Sequence, residues 1–122
     1  MRILLIDDEP LLLKSISRYL GGVCGHEILC ASGGGEALAQ LEAGETVDVV
    51  FCDLKMFDID GVQVHRAISE HHPDLCRRFV FLTGGVTDEA TEDYVQNSGA
   101  LILTKPILQA TFDKVLADLG GA

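Results

Sequence analysis

A chain of 122 residues with 48% hydrophobic content has room for one ordinary core and for no second domain or linker. Nineteen acids against nine lysines and arginines give a net charge of −10, which excludes a nucleic-acid or anionic-membrane surface, because phosphates demand the opposite sign. Acids appear within the first seven residues, too early for a signal peptide, and no apolar run approaches the ~20 residues of a membrane span. The cytoplasm is the expected compartment.

The first strand-length apolar run, residues 2–6 (RILLI), stops at Asp7, Asp8 and Glu9 and then Pro10. Proline tolerates the first helical position, where its missing N–H costs nothing, so Asp8 or Glu9 is placed to cap a helix with Leu13, Ile16 and Leu20 on one face. Capping accounts for one acid only. Neighbouring carboxylates raise one another's pKa unless a cation or donor offsets the field, so three together require a further cause.

A second run, 27–31 (EILCA), leads through SGGGEAL (32–38) into a helix marked by Ala37, Leu38 and Leu41. That glycine run lacks the GK[ST] of a P-loop and the GxGxxG of a dinucleotide site, and it reads as a turn into the helix. The third run, 47–53 (VDVVFCD), ends in Asp53, and Val64 and Ile68 mark the helix after it. The fourth, 78–83 (RFVFLT), ends in Thr83. Asp88, Glu89, Glu92 and Asp93 then make an acidic helix start that suits the helix dipole, with Ala90 and Tyr94 on its inner face. The fifth, 100–104 (ALILT), precedes Lys105, Pro106 and a helix with Leu108, Phe112, Val115 and Leu119 on one stripe.

Several of these strands are continuously apolar instead of alternating, which marks a parallel sheet covered on both faces. The expected fold is α/β: a three-layer (βα)5 doubly wound parallel sheet of strand order 2-1-3-4-5, flavodoxin-like, with residues 1–122 as one domain. Cys24, Cys30, Cys52 and Cys76 form no CxxC pair and read as buried reduced thiols. His71 and His72 fall at the exposed end of the third helix without a partner at ligand spacing, and His26 and His65 carry no readable role.

Ligands of an open doubly wound sheet bind beyond the carboxyl ends of the strands, where strand order reverses. With the order 2-1-3-4-5, Asp7, Asp8 and Asp53 share one rim with Thr83 and Lys105, while strand two ends in nothing reactive. Three acids and a lysine make an oxygen-rich site for a hard divalent cation, and Mg²⁺ takes one or two carboxylates together with phosphate oxygens and waters. The same set suits phosphoryl transfer. Asp53 would attack phosphorus in line, Mg²⁺ and Lys105 would neutralise the equatorial oxygens, and Thr83 would donate a hydrogen bond. Gly84 leaves room for the phosphoryl group and offers a backbone N–H.

Four segments in order, DDEP (7–10), DLKMFDIDG (53–61), LTGG (82–85) and TKP (104–106), resemble the receiver domain of two-component response regulators. The resemblance covers the whole chain. It implies Asp53 as phosphoacceptor, Asp8 as a direct and Asp7 as a partly water-mediated Mg²⁺ ligand, the Lys55 carbonyl as a further ligand, and Thr83 with Lys105 as the phosphoryl-sensing pair. It also implies a cis peptide before Pro106, and as partners a sensor histidine kinase or histidine phosphotransfer protein. Output would pass to a further domain or downstream protein through the face of helix four, strand five and helix five. Any DNA-binding output would lie outside this chain.

The chain departs from the family pattern at Phe57, where proline is usual, and at Ile102, where many members carry a tyrosine or phenylalanine switch. TGG with an aliphatic strand five looks more like receivers attached to hybrid sensor kinases. An aspartyl-phosphate phosphohydrolase of the haloacid-dehalogenase type is a competing reading, but its general acid would stand where Lys55 stands. A flavin or nucleotide binder would need a phosphate loop at the position of Asp7, Asp8 and Glu9. A binding-only receiver would be expected to lack part of the set of five side chains.

Overall fold

The computed structural model describes residues 1–85 and 88–120. Five strands, β1 (Arg2–Ile6), β2 (Glu27–Ala31), β3 (Val49–Asp53), β4 (Phe79–Thr83) and β5 (Leu101–Thr104), form one parallel sheet of order β2-β1-β3-β4-β5. Five helices connect or follow them: α1 (Pro10–Ser17), α2 (Gly34–Glu42), α3 (Gly61–His71), α4 (Glu89–Ser98) and α5 (Gln109–Gly120). Parallel neighbours need crossovers, and a helix in each crossover covers a face of the sheet.

Strand side chains alternate between faces, and here both faces are buried, which is why the strands lack a polar alternation. Leu4, Ile6, Val50, Cys52 and Phe81 point into one core layer with Val64 and Ile68 of α3. Ile3, Leu5, Phe51, Val80 and Leu82 point into the other, against Ile16, Leu20 and Phe112. Each such leucine or isoleucine contributes roughly 1.5–3 kcal/mol by leaving water. Phe51 and Phe112 meet edge to face with ring centroids 5.2 Å apart, tying α5 to the centre of the sheet.

The helix stripes differ from the sequence pattern in places. In α4 the buried residue is Val95, while Ala90 is exposed and Tyr94 half-buried. Leu108 precedes α5 and is 70% exposed; Leu116 joins Phe112 and Val115 in its place. A π-helical turn at Arg18–Val23 extends α1, a departure that no periodicity announces. All four cysteines are free, yet only Cys52 is fully buried, and Cys24, Cys30 and Cys76 are half-exposed to solvent. β5 is an edge strand, so its apolar run is not covered as the others are: Leu101 and Ile102 are each 45% exposed.

His65 acquires a role that its sequence position does not reveal. It is 4% exposed on α3, packed against Phe79, Phe81 and Tyr94, with Nδ1 2.7 Å from the Tyr94 hydroxyl and Nε2 without a partner among the described residues. Burial lowers its pKa below the ordinary histidine value. The neutral ring is favoured on folding, so stability is full at neutral pH and declines as pH falls below the ordinary value. Removing the tyrosine hydroxyl would leave both ring nitrogens unpaired. Tyr94→Phe is expected to destabilise the fold by about 1–3 kcal/mol in a denaturant melt, the cost of an orphaned buried polar group.

Candidate functional site

The ladders of the sheet continue one residue past the strands and set the rim. The Asp7 N–H donates to the Ala31 carbonyl at 3.2 Å, Leu54 N–H to Leu82 at 2.9 Å, and Lys105 N–H to Thr83 at 2.7 Å. Residues immediately after β1, β3 and β5 are thereby fixed as firmly as strand residues. The Lys105–Pro106 peptide is cis, as the resemblance implies.

Five side chains named from the sequence meet on this rim. Asp7 is fully buried, Asp53 and Thr83 are each 7% exposed, and Asp8 is half-buried. One carboxylate oxygen from each of Asp7, Asp8 and Asp53 lies within 4.8 Å of the others. Lys105 Nζ reaches both buried acids, 2.9 Å from Asp7 Oδ2 and 3.3 Å from Asp53 Oδ2. A cleft of about 350 Å³ opens above them, lined by Asp8, Asp53, Lys55, Thr83, Gly84 and Lys105. A larger one of about 440 Å³ lies among Gly44, Glu45, His72, Asp74 and Arg78, where the strands begin; no three metal-ligating side chains converge there among the described residues.

Asp8 and Glu9 do not cap α1. Glu9 occupies the position before Pro10, but no side chain bonds the helix end. The Glu9 N–H instead donates to Asp7 Oδ1 at 2.9 Å, and Asp8 Oδ2 accepts the Phe57 N–H at 3.1 Å. The acids are spent on the rim. Asp88, by contrast, does cap α4 by accepting the Thr91 N–H at 2.7 Å. The Gly85 N–H donates to Thr83 Oγ1 at 3.2 Å, which leaves the hydroxyl proton free to point into the cleft. The Lys55 side chain is exposed, and Phe57, 96% exposed, offers the site its backbone and not its ring.

Burial and the nearby Asp7 charge push the Asp53 pKa above the ordinary carboxylate value, against the opposing pull of Lys105. Burial works against charge on Lys105 as well, but its hydrogen bond to Asp7 and the Asp53 charge outweigh that and raise its pKa. A carboxylate that is costly to ionise, with an ammonium 3.3 Å away, is primed to gain from a cation or to lose its charge to an electrophile.

A family model described as the response regulator receiver domain matches residues 3–117. The chain belongs to that family. This receiver is 32% identical over 109 residues to the positive alginate biosynthesis regulatory protein of Pseudomonas aeruginosa, covering 88% of this chain and 42% of that protein. It is 31% identical over 121 residues to the sensory/regulatory protein RpfC of Xanthomonas campestris, covering 98% and 16%. The receiver thus spans less than half the length of these relatives. Its fold superimposes with a TM-score of 0.82, at 26% identity and 97% coverage of both chains, on the response regulator TrrA of Thermotoga maritima solved in complex with Mg(2+)-BeF.

Two features of the site region lay outside the sequence reading. The carboxylate of Asp58 bonds the backbone of SGGG, and His65 pairs with Tyr94 behind the sheet. The first had a signal: three successive glycines in a turn where one would serve.

The raised Asp53 pKa makes a prediction for the metal-free protein. Ionised Asp53 costs stability above its folded pKa, and that cost disappears as pH falls through the folded value toward the ordinary carboxylate value. Asp53→Asn is therefore expected to raise Tm by a few degrees at pH 7 in the presence of a chelator. The gain should vanish near pH 4, roughly the ordinary value for aspartate.

Proposed function

We propose that this receiver is phosphorylated on Asp53 by a phosphohistidine of a histidine kinase or phosphotransfer protein, with Mg²⁺ held at the rim. The observation that carries it is a buried carboxylate with raised pKa, 3.3 Å from the Lys105 ammonium and beside two further acids. In the transfer, Asp53 Oδ forms the new O–P bond in line as the P–N bond to the donor imidazole breaks. The imidazole leaves with the bonding pair and takes up a proton from solvent.

The donor set fits Mg²⁺, since it is all oxygen and hard, with one carboxylate oxygen from each of Asp7, Asp8 and Asp53 within 4.8 Å of the others. Both Asp7 oxygens already accept hydrogen bonds, from Glu9 N–H and Lys105 Nζ, which suits contact through water. Asp8 accepts one among the described residues, at Oδ2, and so has an oxygen for direct ligation beside Asp53 and the Lys55 carbonyl. When bound, the ion would neutralise charge on the phosphoryl oxygens. Lys105, 3.3 Å from Asp53, would supply the same service, Thr83 would donate its hydroxyl proton, and Gly84 would leave space and a backbone N–H.

A protein donor is supported by exposed apolar side chains within a few residues of the rim: Leu11 at 83%, Phe57 at 96% and Leu108 at 70%. Output is proposed through α4, β5 and α5, where half-exposed Leu101 and Ile102 lie on the open sheet edge. Residues 1–122 act as one receiver unit in a cytoplasmic pathway on this reading; no described helix is long and apolar enough to cross a membrane.

Intact-protein mass after incubation with acetyl phosphate tests the chemistry. One phosphoryl adduct is expected in the wild type with Mg²⁺, none with a chelator, and none in Asp53→Asn under either condition. An adduct of equal yield in Asp53→Asn would overturn the assignment.

A further inference from the structure

Residues 54–60 link β3 to α3 beside the cleft, which Leu54 and Lys55 line, and carry the Phe57 N–H. The segment is held near both ends by backbone bonds: Leu54 N–H to Leu82, and Gly61 N–H back to the Leu54 carbonyl at 2.9 Å. Asp60 and Gln63 close a reciprocal capping box at the start of α3. Gly61 lies so close to the strand that a Cβ there would sit 2.6 Å from the Asp53 carbonyl oxygen. The middle of the segment, Met56 to Ile59, has no such local ladder.

Asp58 supplies the missing hold. Its Oδ2 accepts the Gly35 N–H at 2.7 Å and its Oδ1 the Gly34 N–H at 3.2 Å, both in the first turn of α2. The residue before that turn, Gly33, has no side chain to cap the helix, so the cap arrives from more than twenty residues away in sequence. A Cβ at Gly33 or Gly35 would sit 2.9 Å from an Asp58 oxygen, and one at Gly34 would sit 2.5 Å from Ile59 and 2.7 Å from Val64. Gly33 is extended, with φ −173°, so conformational freedom does not require glycine there. Space does. The three glycines form a socket shaped to Asp58 and Ile59.

One residue before Asp58, the Phe57 N–H donates to Asp8 Oδ2 at 3.1 Å. Asp58 fixes the backbone that makes this bond, and the bond fixes which way the Asp8 carboxylate faces. We propose that Asp58, seated in the SGGG socket, is a positioning residue for the cation site, holding residues 54–60 so that Phe57 orients Asp8 and the Lys55 carbonyl stays at the cleft. This rests on the reading that the rim binds Mg²⁺. It also offers a reason why the segment works without proline at Phe57: the stiffness that a fixed φ would supply comes instead from a side chain anchored on a neighbouring helix. Outer partners that orient a ligating carboxylate commonly change metal affinity by about 10–100-fold when removed.

Two variants disturb the clasp from opposite sides. Asp58→Ala removes the acceptor at an exposed position, at the cost of a helix cap that lowers Tm without unfolding the core, and Gly35→Ala pushes the carboxylate off its donors. Mg²⁺ affinity is measured by isothermal titration calorimetry, and hydrogen exchange at the Phe57 amide is measured by NMR on the metal-free proteins. Expected are a rise of about tenfold or more in the Mg²⁺ Kd in both variants, faster exchange at Phe57, and recovery of full Asp53 phosphorylation at saturating Mg²⁺. A Kd within twofold of wild type and unchanged Phe57 exchange, with only Tm lowered, would overturn the positioning role and leave Asp58 a helix cap. Wild-type protein that binds no Mg²⁺ would overturn the metal reading instead, and the Phe57 exchange rate would still decide whether Asp58 holds the segment.

Discussion

Three carboxylates share one end of a sheet in a protein that already carries ten excess negative charges, and a single ammonium makes that arrangement tolerable. Lys105 Nζ bridges Asp7 and Asp53, both nearly sealed from water. Its position depends on the edge strand β5 pairing with β4 in register, since Thr83 stands opposite Thr104 and the Lys105 N–H continues that ladder. A slip of one residue would turn Lys105 to the other face and leave two buried acids without a counter-charge. Sheet register and site electrostatics are therefore one constraint.

That balance is deliberately incomplete in physical terms. One cation faces three acids, and Asp53 keeps a raised pKa despite its lysine neighbour. A site left short of positive charge gains most from a divalent ion, and on the proposed function that ion would let it receive an anionic phosphoryl group that the bare acids would repel. Burial and hydrogen bonding separate Asp7 from Asp8. Asp7 is buried and saturated by Lys105 and the Glu9 N–H, whereas Asp8 is half-buried and held by one bond from Phe57. Identity of residue type at adjacent positions conceals a division between a fixed charge and an aimed one.

Strand ends were legible because their chemistry sits in a local pattern: apolar run, then Asp7, Asp53, Thr83 or Lys105. Parallel topology followed from runs without alternation. What was not legible depends on contacts between distant segments. Asp58 is one acid among several in its loop until the fold brings α2 to it, and His65 has no readable role until Phe79, Phe81 and Tyr94 enclose it. The misplaced stripes of α4 and α5 have a similar origin. Periodicity gives a face, but the rotation that selects Val95 over Ala90, or Leu116 over Leu108, is set by how each helix meets the sheet.

Those contacts also bear on how a change at Thr83 would leave the site. A cavity of about 200 Å³ lies behind this threonine, bounded by Leu54, Thr91, Val95, Ile102 and Thr104. Ile102 is half-exposed at its edge and too small and too stiff at χ1 to act as the swinging aromatic found in many receivers. The described α4 buries only Val95 fully and is tied to α3 by the Tyr94–His65 bond and by Arg66 stacked 4.9 Å from the Tyr94 ring. A helix with one core anchor is easier to shift than one with several, because less packing is lost in moving it. On the proposed function, inward movement of Thr83 would therefore be read as displacement of α4 against the α3 latch, with Ile102 following passively. On that reading the two-state element would lie in helix packing instead of in one aromatic rotamer.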